Sequence, residues 1–586
     1  MKKYILYINI ILITIVAGCG EEFLDTQNMT EKDLGNYYTT PKDYEEAIAG
    51  VYASLYVGVH SEPSMAANIM SDYMFAGGGA NDFSVLNVDK FEDPNDDTYL
   101  DMWEAAYRGI NRSSTIIDRI DQAEFDNEAD KNQVLGEAYF MRGYFYMRLA
   151  QFFGGVPIIF PGDDFNQPRA SIDDTWARIA TDYKSAIDLL PRTQVTSIDV
   201  TRDGHANLWV AQSMMARAYL FYTGYKSNTL NQSTDVLPLV DGGSITKAQV
   251  VTWLVDMIEN SGHALNDDPR SNWPYSAYSD PAYYDQWSHD ESLYPYAENN
   301  SLTWAGEYGT NKESVWAIKY TGASWGWEGS DKFTNKLFFQ GIRNMASEPP
   351  FHRGWGWCTV NTNLWDMWPD EDVRKRGSIT VIPAWEIGLP VDNQTELDTY
   401  ATEDNTRSYG YGVSVDHGRD VTPFVNKKYS NWCVLDADGA LTGFYYHLYG
   451  GAESNFMLWN SQDFMVMRFS DCLLMAAELG APNAQSYMDR VRTRAGGLPS
   501  VAPTLENIKL ERTYELCFEG IRWFDLARWG DTKTAIEAAT GVPVVEPDGA
   551  VGTYTGVYRD ITKCLLPIPE SQVSLSKGVL EQNPGW

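Results

Sequence analysis

The chain has 586 residues, with 45 Lys and Arg against 80 Asp and Glu, a formal charge of −35. Hydrophobic residues make up 44% and charged residues 21%, the balance of a globular chain and not of a disordered one. So acidic a chain argues against a nucleic-acid partner, which needs a basic stripe to displace counterions from phosphate, and against electrostatic docking on anionic lipid.

The first elements are an address. Lys2 and Lys3 precede a twelve-residue apolar run, Ile5 to Val16, broken only by Asn9 and Thr14. As a helix it spans about 18 Å, well short of a hydrocarbon core of about 30 Å, so it is a secretory signal and not a membrane span. The run ends Val16-Ala17-Gly18-Cys19, which resembles a bacterial lipobox, with 1–18 removed and Cys19 acylated. The other cysteines, Cys358, Cys433, Cys472, Cys517 and Cys564, are odd in number, scattered, and never paired as C-x-x-C. They form neither a disulfide framework nor a zinc site, and the seven His show no metal spacing. No cofactor is expected.

The body is predicted to be all-α. Thr40-Pro41 has the form of an N-cap and first helical residue, and Tyr44, Ala47, Ile48, Val51, Tyr52 and Leu55 follow at helical spacing. Asp93-Pro-Asn95-Asp-Asp97 matches the start of a calcium loop, with Glu104 at the twelfth place. Thr98 stands where such a loop needs glycine, so a capped start for the following helix is the preferred reading. Leu135 to Phe153 is apolar nearly all round and should be sandwiched between other helices; Gly154-Gly155 and Pro157 stop it. Ser171 opens a helix ending at Pro191, and a further helix runs from about Ala206 to Tyr222. Met141-Arg-Gly-Tyr144 recurs as Ala216-Arg-Ala-Tyr219, 75 residues on. Small residues at a helix contact followed by a bulky aromatic resemble tetratricopeptide repeats, which stack because one unit cannot bury its apolar face alone.

A second helical block lies between Phe464 and Trp529. Within it Glu515, Glu519 and Arg522 fall one helical turn apart, and Arg512 precedes Glu515 by three. Two neighbouring carboxylates ask for cations, with Arg490, Arg492 and Arg494 the nearest candidates. A structural ion-pair network joining helices is preferred over a catalytic carboxylate pair.

The run Glu515-Leu-Cys-Phe-Glu519-Gly-Ile-Arg522-Trp-Phe-Asp525-Leu-Ala-Arg528-Trp529 resembles the C-terminal signature of the SusD/RagB lipoproteins of Bacteroidetes. Thr39-Thr40-Pro41, Glu137 to Tyr144 with Phe153-Gly-Gly-Val-Pro157, Asp372-Val-Arg374-Lys-Arg376, Leu566-Pro567-Ile-Pro569 and Gln582-Asn583-Pro584-Gly585-Trp586 agree in order. The last residue is Trp where Tyr is more usual. The resemblance implies a tetratricopeptide-like helix-pair scaffold with a long, loop-rich insertion. It also implies an outer-membrane lipoprotein that binds oligosaccharide or polysaccharide and serves a SusC-like TonB-dependent transporter. Gly20-Glu21-Glu22 after Cys19 is similar to the surface-export signal of such lipoproteins, placing the chain outside the cell. The expected organisation is a signal peptide at 1–18, a helical part at 19–225, a loop-rich aromatic insertion at 226–460, and a C-terminal helical part at 461–586 packed as one body with 19–225.

Ligand residues cannot be carried over by motif and are argued from the chain itself. Twelve of the twenty Trp lie between Trp253 and Trp385. The stretch from Trp273 to Trp304 shows no helical period, so its rings, Tyr283, Tyr284 and Trp287 among them, are expected on loops. Trp325-Gly-Trp327 and Trp355-Gly-Trp357 place glycine beside indole, which leaves room for a flat partner. A pyranose offers an apolar C–H face to such rings and a rim of hydroxyls to polar groups, the usual logic of a concave binding site. The glycine-rich loop Gly77-Gly-Gly-Ala-Asn81-Asp82-Phe83 adds two polar side chains and a ring. The ligand-binding candidates are therefore Asn81, Asp82, Phe83, Tyr283, Tyr284, Trp287, Trp325, Trp327, Trp355 and Trp357; for any single Trp, packing of the insertion onto the helices is the competing role. A non-catalytic glycan receptor is the preferred function. A peptide receptor of the same family is the alternative, followed by a glycoside hydrolase, for which no segment outside the family pattern suggests a carboxylate pair.

Overall fold

Thr40 begins the helical body. Its backbone N–H donates to the Asp43 carboxylate at 2.9 Å, and its hydroxyl accepts from the Asp43 N–H, a capping box that opens α1 (Pro41–Tyr52). The structure is a computed structural model. It describes residues 37–586 apart from 58–61, 93–96, 198–201, 285–293, 308–309, 321–335, 344–346, 348, 384–387, 390–392, 405–417, 449–454 and 459.

Five longer helices follow: α2 (Leu100–Arg119), α3 (Glu128–Phe153), α4 (Ile172–Leu189), α5 (Leu208–Gly224) and α6 (Lys247–Asn260). Each packs on the next, and α1 lies against both α2 and α3. This stacking of successive antiparallel neighbours is the tetratricopeptide-like arrangement. Helix α3 is sandwiched as its all-round apolar character requires, with Phe140, Met141, Tyr146, Leu149, Phe152 and Phe153 all buried. It starts at Glu128, a full two turns before the expected Leu135, because Asn127 supplies a side-chain cap to the Asp130 N–H at 2.9 Å. The recurring small-residue segment is a close helix contact: a Cβ at Gly143 would stand 3.0 Å from the Tyr183 ring of α4. The arginine beside it spans the same joint, Arg142 binding Asp182 through two bonds of 2.8 and 2.9 Å. Its counterpart Arg217 reaches out of the stack to the Val466 carbonyl and the Asp471 carboxylate.

The C-terminal helices α7 (Phe469–Glu478), α8 (Ala484–Arg494), α9 (Leu505–Leu516) and α10 (Arg522–Trp529) pack among themselves and against α5 and α6. One apolar core runs from Tyr38 to Leu580. The closing segment seals the far end of α3: Asn583 donates to the Phe153 and Leu566 carbonyls at 3.0 and 2.7 Å, and the Trp586 indole donates to Leu565. Strands are confined, among the described residues, to six two-stranded antiparallel ladders. Two of them matter below. β1 (Met74–Gly77) pairs with β3 (Trp357–Val360), and β2 (Ser314–Ile318) pairs with β4 (Phe464–Arg468). No helix among the described residues is long and apolar enough to cross a membrane. The five described cysteines are all free and buried.

The expected ion network is present and larger than the sequence suggests. Arg468, at the junction of β4 and α7, binds Glu313, Glu515 and Glu519 at 2.6 to 2.8 Å. Arg374 binds Asp372, Glu511 and Glu515 at 2.6 to 2.9 Å. Arg494 adds Glu313 and Glu515, Arg492 adds Glu511, and Lys428 adds Glu519. Of the three expected partners, Arg490 takes no part; its guanidinium lies 5.3 Å from the Phe469 ring. Arg522 serves a different carboxylate, binding Asp72 through two bonds of 2.8 Å. Burial alone would raise the Glu515 pKa, but the guanidiniums of Arg494, Arg468 and Arg374 outweigh it and hold the group well below the carboxylate range.

Two expectations are corrected. Helix α2 starts with Tyr99 at its N-cap and no side-chain cap, and the Asp97 carboxylate instead accepts the Ser571 N–H at 3.1 Å. Asp93 and Asn95 lie outside the described residues. The described residues of 269–299 are not simple loop: they form short 3-10 and α segments at Pro269–Asn272, Pro274–Ser279, Pro281–Tyr284 and Pro295–Asn299. Proline recurs at their first turns and pins single turns too short to show a period.

Removing one member of a buried ion network leaves the others charged and unpaired. Arg468→Met should therefore cost on the order of 3–5 kcal/mol in urea unfolding, and Arg468→Lys should recover only part of it because lysine cannot fork to three carboxylates.

Candidate ligand-binding site

The ladder between β1 and β3 brings together two segments that lie far apart in the chain. Gly77 pairs with Trp357, and the Gly78 N–H donates to the Gly356 carbonyl at 2.8 Å. The loop from Gly77 to Phe83 therefore lies alongside 353–357. Only glycine serves at its start. Gly77 and Gly78 have φ of +65° and +76°, and a Cβ at Gly77 would stand 2.3 Å from the Gly356 carbonyl oxygen. At Gly78 it would stand 2.8 Å from the Trp357 ring.

Asp82 holds the two segments together. One carboxylate oxygen accepts the Gly79 N–H at 2.7 Å and the Trp357 indole N–H at 3.0 Å. Trp357 is only 3% exposed and is covered by Phe339, whose ring centroid lies 4.3 Å away. Its indole is thus a support under the loop, with no open face. Arg343 is the second strut. It donates to the Trp355 carbonyl at 3.0 Å, and a Cβ on Gly79 would stand 2.5 Å from its guanidinium. From the other side Arg419 donates to the Ala80 carbonyl at 2.9 Å, and its backbone N–H donates to the Gly78 carbonyl.

Above these supports the surface is mixed. Asn81 is exposed and Phe83 is 56% exposed, an unusual cost for a phenyl ring that starts a helix (Phe83–Lys90). Trp355 is half-buried, with the Phe456 ring 5.8 Å away and the Arg353 guanidinium 5.7 Å from its own ring. Arg353 also lies 5.5 Å from Phe456, so the three form one ledge of two rings and a cation.

Of the remaining candidates, Tyr283 alone has a described side chain. Tyr283 is half-buried, with its ring 5.1 Å from Trp304. Trp287, Trp325 and Trp327, with the side chain of Tyr284, lie outside the described residues. Most rings from Trp273 to Trp304 are sealed: Trp273, Tyr275, Tyr278, Tyr294, Tyr296 and Trp304 are buried. Phe339, Arg343, Arg419 and Phe456 were not singled out by sequence reasoning. Each stands alone in an unpatterned stretch, and only the fold brings it to this place.

A model of proteins described as starch-binding and associating with the outer membrane matches residues 22–220, and the SusD family model matches residues 222–586. Among characterised sequences, a SusD-like protein P2 of Formosa agariphila is 24% identical over the full length of both chains. A SusD-like protein of Bacteroides ovatus is 21% identical over 88% of this chain and 80% of its own. Among solved structures, surface glycan-binding protein A from Bacteroides thetaiotaomicron, in complex with laminarihexaose, is 21% identical. It aligns with a TM-score of 0.65 over 93% of this chain and 100% of its own. A SusD homologue from the same organism aligns with a TM-score of 0.69 at 18% identity, over 96% of this chain and 100% of its own.

Beneath the loop, one acid is placed at an electrostatic disadvantage. Asp420 follows Arg419, is 5% exposed, and has one carboxylate oxygen without a hydrogen-bond partner. Burial first, and then the negative charge of Asp89, push its pKa up to about 7. In the unfolded chain it titrates near about 3.9. Between those values the native state binds more protons than the unfolded state, so this group's contribution to stability falls as pH rises from about 4 to about 7 and then levels off. Asp420→Asn should remove that decline and raise stability above pH 7 by on the order of 4 kcal/mol, read from urea unfolding across that pH range.

Proposed function

Because the chain belongs to the SusD/RagB family, we propose that it is a non-catalytic glycan receptor of the cell surface. It captures oligosaccharide or polysaccharide and passes it to a SusC-like TonB-dependent outer-membrane transporter. Acylation of Cys19 anchors it to the outer membrane, and the ligand surface is shared between 226–460, which supplies Arg353, Trp355 and Phe456, and the Gly77–Phe83 loop of 19–225. The observation that carries this reading is the β1–β3 pairing, which sets the loop ending in exposed Phe83 beside half-buried Trp355. Phe83, Trp355 and Phe456 offer flat apolar faces to the C–H side of sugar rings. Asn81 and Arg353 supply hydrogen bonds to hydroxyls at the edge. Asp82 and Trp357 act from below, fixing the loop so that little conformational entropy is lost on binding. Tyr283, Tyr284, Trp287, Trp325 and Trp327 remain further ligand candidates on the strength of their sequence setting alone.

Glu515 and Glu519 support a receptor over a hydrolase. Each is buried and bonded to guanidinium or ammonium groups, which leaves neither to protonate a leaving group or attack a sugar. Laminarihexaose, the sugar held by one structural relative, is the first probe to try.

Phe83→Ala and Trp355→Ala should each weaken binding of the preferred glycan by about tenfold, equivalent to about 1.4 kcal/mol, with the helical circular dichroism unchanged. Calorimetry on a panel of neutral hexasaccharides, with mixed oligopeptides as a parallel arm, measures this. Binding of peptides alone would favour the peptide receptor, and new reducing ends in the sugar arm would favour the hydrolase.

A further inference from the structure

A second concave surface lies between α2, the segment 157–167 and the helix Glu570–Leu575 near the C-terminus. It encloses about 470 Å³, within the roughly 300–1,000 Å³ of small-molecule sites. None of its lining residues belongs to the loop, the ladder or the ledge described above. Its floor is Trp103, Tyr107, Ile110 and Leu580. Its rim carries Phe165 at 74% exposure and Leu575 at 72%, the two most exposed of the large apolar side chains among the described residues.

The polar groups on this lining say what it suits. Asn111, Gln167 and Gln572 line it, and their side-chain amides have no hydrogen-bond partner among the described residues. Trp103 is only 5% exposed, yet its indole N–H likewise donates to no acceptor among the described residues. That nitrogen is not among the sealed, unpaired donors of the described residues, so it is left open to solvent. The tyrosine beside it is paired, Tyr107 donating to the Pro157 carbonyl at 2.9 Å. The ionisable residues on the lining are Glu104 and Lys577, of opposite sign, so the cleft favours neither an anion nor a cation.

We propose that this cleft is a second carbohydrate-binding site, which takes an uncharged, hydroxyl-rich saccharide. An amide offers a donor and an acceptor side by side, the match for a vicinal pair of hydroxyls, each of which also donates and accepts. Three such amides with one indole donor can satisfy several hydroxyls, while Phe165 and Leu575 cover the C–H face. A purely apolar occupant would leave those polar groups desolvated and unpaired, which is costly. The second site makes the receptor bivalent: a chain long enough to reach both surfaces would be held by avidity without any new contact.

Calorimetry on the intact protein tests this with malto-, cello-, laminari-, xylo-, manno- and chitohexaose. In a Phe83→Ala, Trp355→Ala background, at least one hexaose should still bind. Adding Phe165→Ala and Gln167→Ala, both at the rim, should weaken that residual binding at least tenfold with unchanged circular dichroism. No residual binding to any of the six overturns the proposal, and so does residual binding that the rim changes leave untouched. Rim changes that abolish only the capture of a protein partner overturn it in favour of a protein contact. The proposed function fails separately, when the Phe83 and Trp355 changes alone leave all hexaose binding as it was.

Discussion

Five cations and five carboxylates meet in the interior, and the rest of the molecule is arranged around their meeting. Taking such groups out of water costs several kcal/mol per ion, so the network is tolerable only when each charge finds its partners in good geometry. That requirement ties distant parts of the chain to one point. Glu313 comes from the edge of β2, Arg468 from β4, Arg494 from α8, Glu511 and Glu515 from α9, and Asp372 with Arg374 from the insertion. The Asp372-Val-Arg374 motif and the Glu515/Glu519 motif are thus halves of one object.

The network also explains the fate of the aromatic stretch after Trp273. Lys428 lies 5.1 Å and the Arg468 guanidinium 5.8 Å from the Trp273 ring. Lys427, in a separate buried pair with Asp404, lies 3.9 Å from the Tyr296 ring. These rings exclude water from the ion pairs and offer their negative faces to the cations, which strengthens the attraction inside. Aromatic richness in this part of the chain is therefore partly the cost of keeping charges buried. The rings that stay at the surface on the β1–β3 side are Phe83, Trp355 and Phe456.

Local signals in the sequence were enough for the scaffold. Helix starts at Thr40 and Ser171 are visible because a cap is a contact between residues three apart, and the apolar period of α3 announces a buried helix. The acids Glu515 and Glu519 signalled an ion network, although α9 ends at Leu516 and Glu519 lies in the turn before α10, where Phe518 and Gly520 have positive φ; its principal cation did not show. Arg468 sits 47 residues before Glu515 and reaches it through the β2–β4 ladder, which no short window contains. The site was legible in the same uneven way. The glycine loop and the Gly-Trp segments stood out by composition, as two separate features. That Asp82 binds Trp357 is a contact across 275 residues, and composition gives no sign of the role it shows for both, which is to hold the loop in place. Phe456 and Arg353 carry no pattern at all until the fold sets them against Trp355.

This division between support and surface bears on how ligands differ within one architecture. The struts Asp82, Trp357, Arg343 and Arg419 bind backbone or one another, so their geometry is set by the fold. The groups left over, Asn81, Phe83, Trp355 and Phe456, are exposed or half-buried and owe little to the core. A change at Phe83 alters an exposed ring without disturbing a cap, an ion pair or the ladder, whereas a change at Asp82 releases the loop and uncouples Trp357. Recognition can thus drift at the surface while the frame beneath it stays put. The same reasoning accounts for solved relatives that share this fold at about one identical residue in five: the frame needs its few long-range contacts and its core, and leaves most of the surface free.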